Sequence, residues 1–179
     1  MRAIEDDRFI RGDVPLTKRD VRVYILDALD INAAERALDI GAGTGSVSIE
    51  MAMRGAIVDA VETNAAGINL IKENAKKFGV NINTVNGMAP DAIPNITYDK
   101  IFVGGSKGNL KEIIKKSYDL LKDGGVLVMS FILPKNFAIA LETMSEFKIV
   151  ESTLIQSSNV NKIGMMMANN PVFIVRGVK

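Results

Sequence analysis

The chain contains no cysteine and no histidine among its 179 residues. The absence of cysteine excludes disulfides, thiolate metal sites and a thiol nucleophile. The absence of histidine removes the commonest general base and metal ligand. Any chemistry must therefore use carboxylates, lysines, tyrosines, hydroxyls or the backbone, and we expect no metal bound by the protein.

Excess charge and long apolar runs are also missing. The net charge of +1 supplies no global field that would attract a polyphosphate backbone. No apolar run approaches the roughly 20 residues that span a bilayer, and the charged opening "MRAIEDDRFIRGD" lacks the apolar stretch of a signal peptide. We therefore expect a cytoplasmic protein without a nucleic-acid or membrane partner.

The apolar fraction of 47% is enough for one sizeable core, so we expect a single domain over residues 1–179. From Arg36 onward, short apolar runs alternate with amphipathic stretches, which is typical of a parallel sheet covered by helices on both faces. The connection at 159–170 is too short and too polar for a crossover helix, so the last two strands should be antiparallel neighbours. The pattern predicts an α/β, Rossmann-like, doubly wound sheet, mostly parallel with an antiparallel last strand. Its seven predicted strands are 36–40, 56–62, 81–86, 98–105, 124–131, 147–158 and 171–178.

Three helices are predicted from their apolar spacing and their ends. One runs over 64–79 and ends at Gly79, and another runs over 109–125 and ends at Gly124 and Gly125. The first helix covers 15–31, with Thr17 as a candidate N-cap. Residues up to about 16 then form an N-terminal extension.

A glycine turn stands in "LDIGAGTGSVSIE", residues 38–50. A dinucleotide fingerprint requires G-x-G-x-x-G, but here the third glycine is Gly45 and the expected position holds Ser46. The carboxylate of Asp39 would repel a pyrophosphate and attract an ammonium group. The turn therefore favours a ligand that carries a cation over a dinucleotide.

Glu62 ends the next predicted strand, where a carboxylate can accept hydrogen bonds from both hydroxyls of a ribose. An amino-acid end near Asp39 and a ribose near Glu62 together describe S-adenosylmethionine, which is the predicted cofactor. The alternative is a tight turn whose glycines serve only packing.

The glycine turn followed by Glu62 resembles the class I S-adenosylmethionine-dependent methyltransferases. This resemblance implies that Gly87, Met88 and Ala89 in "NGMAPDAI" flank the adenine. It also implies that the loop at 103–109 faces the methyl group, with Gly104 and Gly105 permitting close approach of a substrate. A loop without a ligand is an equally open interpretation of that segment.

The segment "DDRFIRGDVPLTKRDVR" narrows the family. Its F-x-x-x-x-V-P-x-T-K-x-x-V-R pattern resembles the decarboxylating cobalt-precorrin C(15)-methyltransferases of anaerobic cobalamin synthesis. The resemblance implies methylation at C(15) of a cobalt-precorrin, loss of the ring C acetate as carbon dioxide, and a homotetramer. The pattern is matched by Phe9, Val14, Pro15, Thr17, Lys18, Val21 and Arg22. The predicted cofactor-binding residues are Thr17, Asp39, Gly41, Ala42, Gly43, Thr44, Gly45, Glu62, Gly87, Met88 and Ala89.

A cobalt-precorrin carries many carboxylates, so its cleft should present cations around a broad apolar floor. Met165, Met166 and Met167 are candidates for that floor, or else for a contact between subunits. The stretch "NNPVF" at 169–173 is interpreted as a turn entering the final strand. The predicted substrate residues are Gly104, Gly105, Lys107, Arg11 and Lys135, with Arg8, Lys18 and Lys162 as further cations.

Two other functions stay open on these residues. One is a class I methyltransferase acting on RNA or protein, although the loop after the fourth strand lacks the N/D-P-P-Y/F pattern of amino-methylating nucleic-acid enzymes. The other is a non-catalytic subunit that binds S-adenosylmethionine. No residue is assigned to proton transfer.

Overall fold

The computed structural model describes residues 2–179, so Met1, the first residue of the predicted extension, lies outside the described residues. The α-helices are α1 (Arg19–Leu29), α2 (Ser46–Met53), α3 (Ala65–Phe78), α4 (Leu110–Leu120) and α5 (Pro134–Thr143). The strands are β1 (Arg36–Ile40), β2 (Ile57–Glu62), β3 (Ile82–Asn86), β4 (Tyr98–Val103), β5 (Leu121–Phe131), β6 (Ile149–Ile155), β7 (Ser158–Val160), β8 (Met166–Ala168) and β9 (Val172–Val178).

Seven of these strands form one sheet in the order β3-β2-β1-β4-β5-β9-β6. The first five in this order pair in parallel, whereas β9 is antiparallel to both of its neighbours, β5 and β6. The predicted fold class and the predicted antiparallel pairing of the last two long strands are therefore confirmed.

Helices cover both faces of the sheet. The apolar sides of α1 and α2 pack on one face, around Ala37, Val58 and Val128, and α3 packs beside them on Ala60. On the other face, α4 and α5 pack around Leu38, Ile101 and related side chains. Successive side chains of a strand point to opposite faces of the sheet. Asp39 therefore points to the face covered by α2, and Ile40 points to the face covered by α4.

Two predicted helix ends are wrong. Helix α1 begins at Arg19, and its N-cap is Lys18, which makes no side-chain capping bond. Thr17 is therefore not the cap, because it lies one residue before the cap position. Its carbonyl oxygen accepts a 2.6 Å hydrogen bond from Nη1 of Arg22. Helix α4 ends before Gly124, since the buried Leu121 is already extended and pairs with Tyr98 on β4.

Helix α5 and the two short strands β7 and β8 were not predicted from the sequence. Helix α5 begins at Pro134, a residue that is favoured in the first helical turn because its missing N–H needs no partner there. The strand predicted over 147–158 ends at Ile155, and β7 and β8 form a separate two-stranded antiparallel sheet that begins at Ser158 and extends into the segment predicted as a polar connection.

The N-terminal extension is held by buried polar contacts. The guanidinium of Arg22 is fully buried and donates to Glu50 at 2.7 Å, and Glu50 also accepts from the N–H of Ile4 at 3.0 Å. The centroid of the Phe9 ring lies 4.9 Å from the guanidinium carbon of Arg22. Asn74 of α3 pairs with both the N–H and the carbonyl of Ile10, at 2.7 and 3.0 Å. The extension is thus fixed across α1, α2 and α3, which carries residues 14–18 to the strand ends.

Within residues 2–179, none of the helices has the length and apolar character needed to cross a bilayer.

Candidate active site

A cavity of about 730 Å³ opens along the carboxyl ends of β2, β1, β4 and β5. The strand order reverses between β1 and β4, and ligands bind at such switch points in open α/β sheets. A cavity of this volume suits a cofactor and part of a substrate. Its wall is formed by residues 14–18, 41–43, 61–64, 87–89 and 103–107, by 130–133, and by Val21, Ile40, Ile113, Asn136, Ser157, Asn169, Asn170 and Val172.

The glycine turn has no room for side chains. Gly41 and Gly43 have φ angles of 73° and 56°, in the left-handed region that favours glycine. A Cβ on Gly41 would lie 2.7 Å from the backbone nitrogen of Gly105, and one on Gly43 would lie 2.9 Å from the carbonyl oxygen of Pro15. The backbone of the turn is therefore wedged between the extension and the loop after β4, and it faces the cavity without a side chain.

Glu62 lies where β2 ends and borders the cavity with 8% of its surface exposed. Its Oε2 accepts from the N–H of Gly43 at 2.9 Å, and its Oε1 accepts from the N–H of Asn64 at 2.8 Å and from the hydroxyl of Thr63 at 3.2 Å. A carboxylate offers about four acceptor positions, so Glu62 keeps capacity for a further donor in the cavity.

Gly67 of α3 is a residue that the sequence reasoning missed. A Cβ at this position would lie 2.8 Å from Cγ of Glu62, so a larger residue would displace the carboxylate. The available signal was a glycine inside a helical pattern, which often has a packing reason.

Asp39 does not take the predicted place beside a ligand. It is fully buried, lies outside the cavity wall, and accepts from both the N–H and the hydroxyl of Ser48 on α2. Burial, with a smaller contribution from the charge of Glu62, raises the pKa of Asp39 to about 7 against the lowering effect of the two hydrogen bonds from Ser48. Its Oδ1 has no hydrogen-bond partner among residues 2–179. Asp39 thus holds α2 behind the glycine turn, because the sheet register sends its side chain away from the cavity.

The other predicted residues divide between the wall and its surroundings. Thr44 and Gly45 are buried behind the turn, where a Cβ on Gly45 would lie 3.0 Å from Ile71. Lys135 lies one residue before Asn136 on α5, and successive helical residues point about 100° apart, so only Asn136 reaches the cavity. The predicted residues on the wall are Thr17, Lys18, Gly41, Ala42, Gly43, Glu62, Gly87, Met88, Ala89, Gly104, Gly105 and Lys107. Those outside it are Arg8, Arg11, Lys135, Lys162, Met165, Met166 and Met167, besides Asp39, Thr44 and Gly45.

The sequence reasoning also missed the part of the wall after β5. Ile132 and Leu133 are 58% and 60% exposed and form the apolar floor that had been expected from the methionines of the hairpin. Their signal was an apolar pair directly after a buried strand. Asn169 and Asn170 belong to the predicted turn into the last strand, but their place in the wall depends on the pairing of β9 with β5.

These groups fit S-adenosylmethionine. The bare backbone at Gly41 and Gly43 leaves space for the amino-acid end, and the remaining acceptor position of Glu62 suits a ribose hydroxyl. Met88 and the buried Ala89 supply apolar surface for an adenine. The backbone that a Cβ on Gly41 or Gly43 would displace, together with the remaining acceptor position of Glu62, agrees with the cofactor expected from the sequence.

The comparisons with known proteins identify the family. Residues 8–177 match the family described as the precorrin methyltransferase domain. The chain is 38% identical to a "Cobalt-precorrin-6B C(15)-methyltransferase (decarboxylating)" of Salmonella typhimurium, over 96% of this chain and 94% of the relative. It is 35% identical to a "Probable cobalt-precorrin-6B C(15)-methyltransferase (decarboxylating)" of Saccharolobus solfataricus, over 98% and 95%.

A solved structure agrees with these relatives. The crystal structure of a "Precorrin-6y C5,15-methyltransferase" from Geobacter metallireducens has a TM-score of 0.93 and 31% identity, and the alignment covers 99% of this chain and 97% of that one. The chain therefore belongs to the precorrin methyltransferase domain family.

Proposed function

We propose that this protein transfers a methyl group from S-adenosylmethionine to C(15) of a cobalt-precorrin and that the ring C acetate of the same molecule is lost as carbon dioxide. The observation that carries the proposal is the family match over residues 8–177, since it spans every segment of the cavity wall. The printed names of relatives that are 35% and 38% identical over nearly the full chain support the same reaction.

When bound, S-adenosylmethionine supplies an electrophilic methyl group on a good leaving group. The chain's contribution is then to bind and align. Glu62 binds the ribose, the backbone of Gly41 and Gly43 accommodates the amino-acid end, and Ala89 lies against the adenine. Gly104 and Gly105 leave the loop after β4 without side chains, so the acceptor carbon can approach closely. Alignment with exclusion of water contributes up to about 7 to 11 kcal/mol when the geometry is ideal.

The test uses methyl-labelled S-adenosylmethionine and the cobalt-precorrin intermediate, and it records label in the macrocycle together with released carbon dioxide. We expect both signals from the wild-type protein. Glu62→Ala should weaken cofactor binding by about tenfold or more, because hydrogen bonds to a charged group contribute about 1.5 to 3 kcal/mol each. Glu73→Gln, an exposed position on α3, is the matched control and should leave both signals unchanged.

The proposal would be contradicted by a wild-type protein that binds the cofactor but gives neither label in the macrocycle nor released carbon dioxide. That outcome would favour RNA or protein as the substrate, or a non-catalytic role.

We further propose that the protein is cytoplasmic and assembles as a homotetramer. The exposed apolar side chains of the β7–β8 hairpin support association, with Val160 at 68%, Ile163 at 80% and Met166 at 73% exposure. Sedimentation equilibrium tests the assembly, and a monomer at micromolar concentration would contradict it.

A further inference from the structure

The cavity has an uneven distribution of charge. Among the described residues, its wall carries three ionisable side chains, Lys18, Glu62 and Lys107. All three precede β5 in the chain. From β5 onward the wall contains neutral polar groups instead, and we name this group the amide end: Ser130, Asn136, Ser157, Asn169 and Asn170.

Strand pairing brings the amide end together from distant segments. Phe131 at the end of β5 pairs with Phe173 on β9, and Ile155 at the end of β6 pairs with Val172. The end of β5, the start of β9 and the end of β6 therefore meet at one edge of the sheet. Glu62 ends β2, three strands away from β5, which corresponds to about 14 Å.

Hydrogen bonds hold part of the amide end in place. The backbone N–H of Asn169 donates to the carbonyl of Ser157 at 3.0 Å, and its side-chain amide donates to the Ser157 hydroxyl at 2.9 Å. The side-chain amide of Gln156 donates to the carbonyl of Asn169 at 2.9 Å. The apolar side chains of Phe131 and Ile132 lie on the same part of the wall. A group bound here meets fixed neutral dipoles and apolar surface, with no cation on this part of the wall.

We infer that the amide end receives the acetate that is lost, while Lys18 and Lys107 bind carboxylates that the product retains. The inference rests on the proposed function. A cation would stabilise the ionised carboxylate more than the departing neutral carbon dioxide, and it would thereby raise the barrier. Neutral donors orient the carboxylate and leave it poorly solvated, which favours the loss of its charge.

The step balances without a further reactant besides water. The bond between the acetate methylene carbon and the carboxylate carbon breaks, and carbon dioxide leaves. The electron pair of that bond passes into the conjugated macrocycle. The pair then returns to the methylene carbon as its bond to a proton taken from solvent water, which leaves hydroxide and gives a methyl group.

The experiment adds a cation to the amide end by Asn136→Lys and uses Ser145→Lys as the matched control, because Ser145 is exposed just after α5 and lies outside the cavity wall. A single turnover with methyl-labelled cofactor and cobalt-precorrin records methyl transfer and carbon dioxide separately. We expect Asn136→Lys to transfer the methyl group but to release carbon dioxide at least about tenfold more slowly, with an unchanged or lower KM for the macrocycle. Ser145→Lys should keep one carbon dioxide per methyl group, as in the wild type.

Carbon dioxide release from Asn136→Lys at the wild-type rate would overturn the inference. If Asn136→Lys fails to fold, Asn170→Lys places a lysine at an exposed residue of the amide end. The rate of carbon dioxide release relative to methyl transfer in that variant then tests the inference. Lys107→Met removes a cation from the other part of the wall. It should raise the KM for the macrocycle while the ratio of carbon dioxide to transferred methyl groups stays at one. A change in that ratio would contradict the role given to Lys107. Failure of the proposed function is distinct, because the wild-type protein itself would then give neither signal.

Discussion

Replacing Asp39 by Asn should raise the stability of the protein at neutral pH relative to its stability in weak acid. In the native state the buried Asp39 carboxyl keeps its proton up to about pH 7, whereas in the unfolded chain it ionises near its ordinary pKa of 3.8. Between these values the native state binds more protons than the unfolded state, so the free energy of unfolding falls as the pH rises. The amide of Asn carries no proton that titrates in this range, and the Asn variant therefore lacks this loss.

The size of the effect follows from the shift in pKa. A rise from 3.8 to about 7 is about 3 pKa units, and at about 1.4 kcal/mol per unit the wild-type protein loses about 4 kcal/mol over the whole interval. Between about pH 5 and pH 8 the loss is about 2 to 3 kcal/mol. The asparagine can keep the bonds from Ser48 through its amide oxygen. The unfolding free energy of the variant minus that of the wild type should thus increase by about 2 to 3 kcal/mol between about pH 5 and pH 8.

Urea unfolding followed by circular dichroism at several pH values measures this difference. Asp99→Asn is the control. Burial raises the pKa of Asp99, but the hydrogen bonds from Lys122 and from the N–H of Arg36 outweigh this effect of burial. The pKa of Asp99 therefore lies below its ordinary value. Its effect on stability therefore changes only below about pH 4, and its difference from wild type should be flat between about pH 5 and pH 8. The same flat result for Asp39→Asn would refute the reasoning, because it would mean that Asp39 is ionised throughout.

Four further substitutions test the packing around the site. Gly41→Ala should destabilise the turn and abolish cofactor binding in calorimetry. Gly105→Ala should fold and bind the cofactor, because its Cβ would meet Gly41 at an ordinary contact distance of 3.8 Å. Equal behaviour of the two variants would contradict the close approach of the backbone at Gly41 and Gly105. Arg22→Met removes the guanidinium that lies 2.7 Å from the buried Glu50 and leaves that carboxylate with Arg54 at 3.3 Å as its cationic partner. It should cost about 3 to 5 kcal/mol in urea unfolding, and a cost below about 1 kcal/mol would argue against the buried ion pair. Asn74→Ala removes both hydrogen bonds to Ile10 and should speed amide hydrogen exchange at Ile10, while unchanged exchange would show that the extension is held by other contacts.

The parts of the site that were predictable depend on local signals. The glycines at 41 and 43 and the strand-ending Glu62 are read from spacing alone, because a turn between a strand and a helix is made by adjacent residues. The end of α3 at Gly79 was predicted correctly since its left-handed cap favours glycine.

The rest depends on long-range pairing or on the direction of a single side chain. Asn170 joins the wall because β9 inserts between β5 and β6, and no local pattern specifies that order. Lys135 and Asn136 are adjacent in the sequence, yet only Asn136 lines the cavity. Asp39 was misplaced because a motif gives the residue type at a strand end but not the face toward which it points.

The docked extension has a consequence for how the protein folds. Its anchoring hydrogen bonds join Ile4 to Glu50 and Ile10 to Asn74, which are separated by 46 and 64 residues. Contacts of such sequence separation close large loops, and the entropy of that closure must be overcome before the contacts stabilise the chain. We expect the sheet edge to assemble before the extension docks, so that a cofactor-binding surface arises late in folding and opens first when the native state fluctuates.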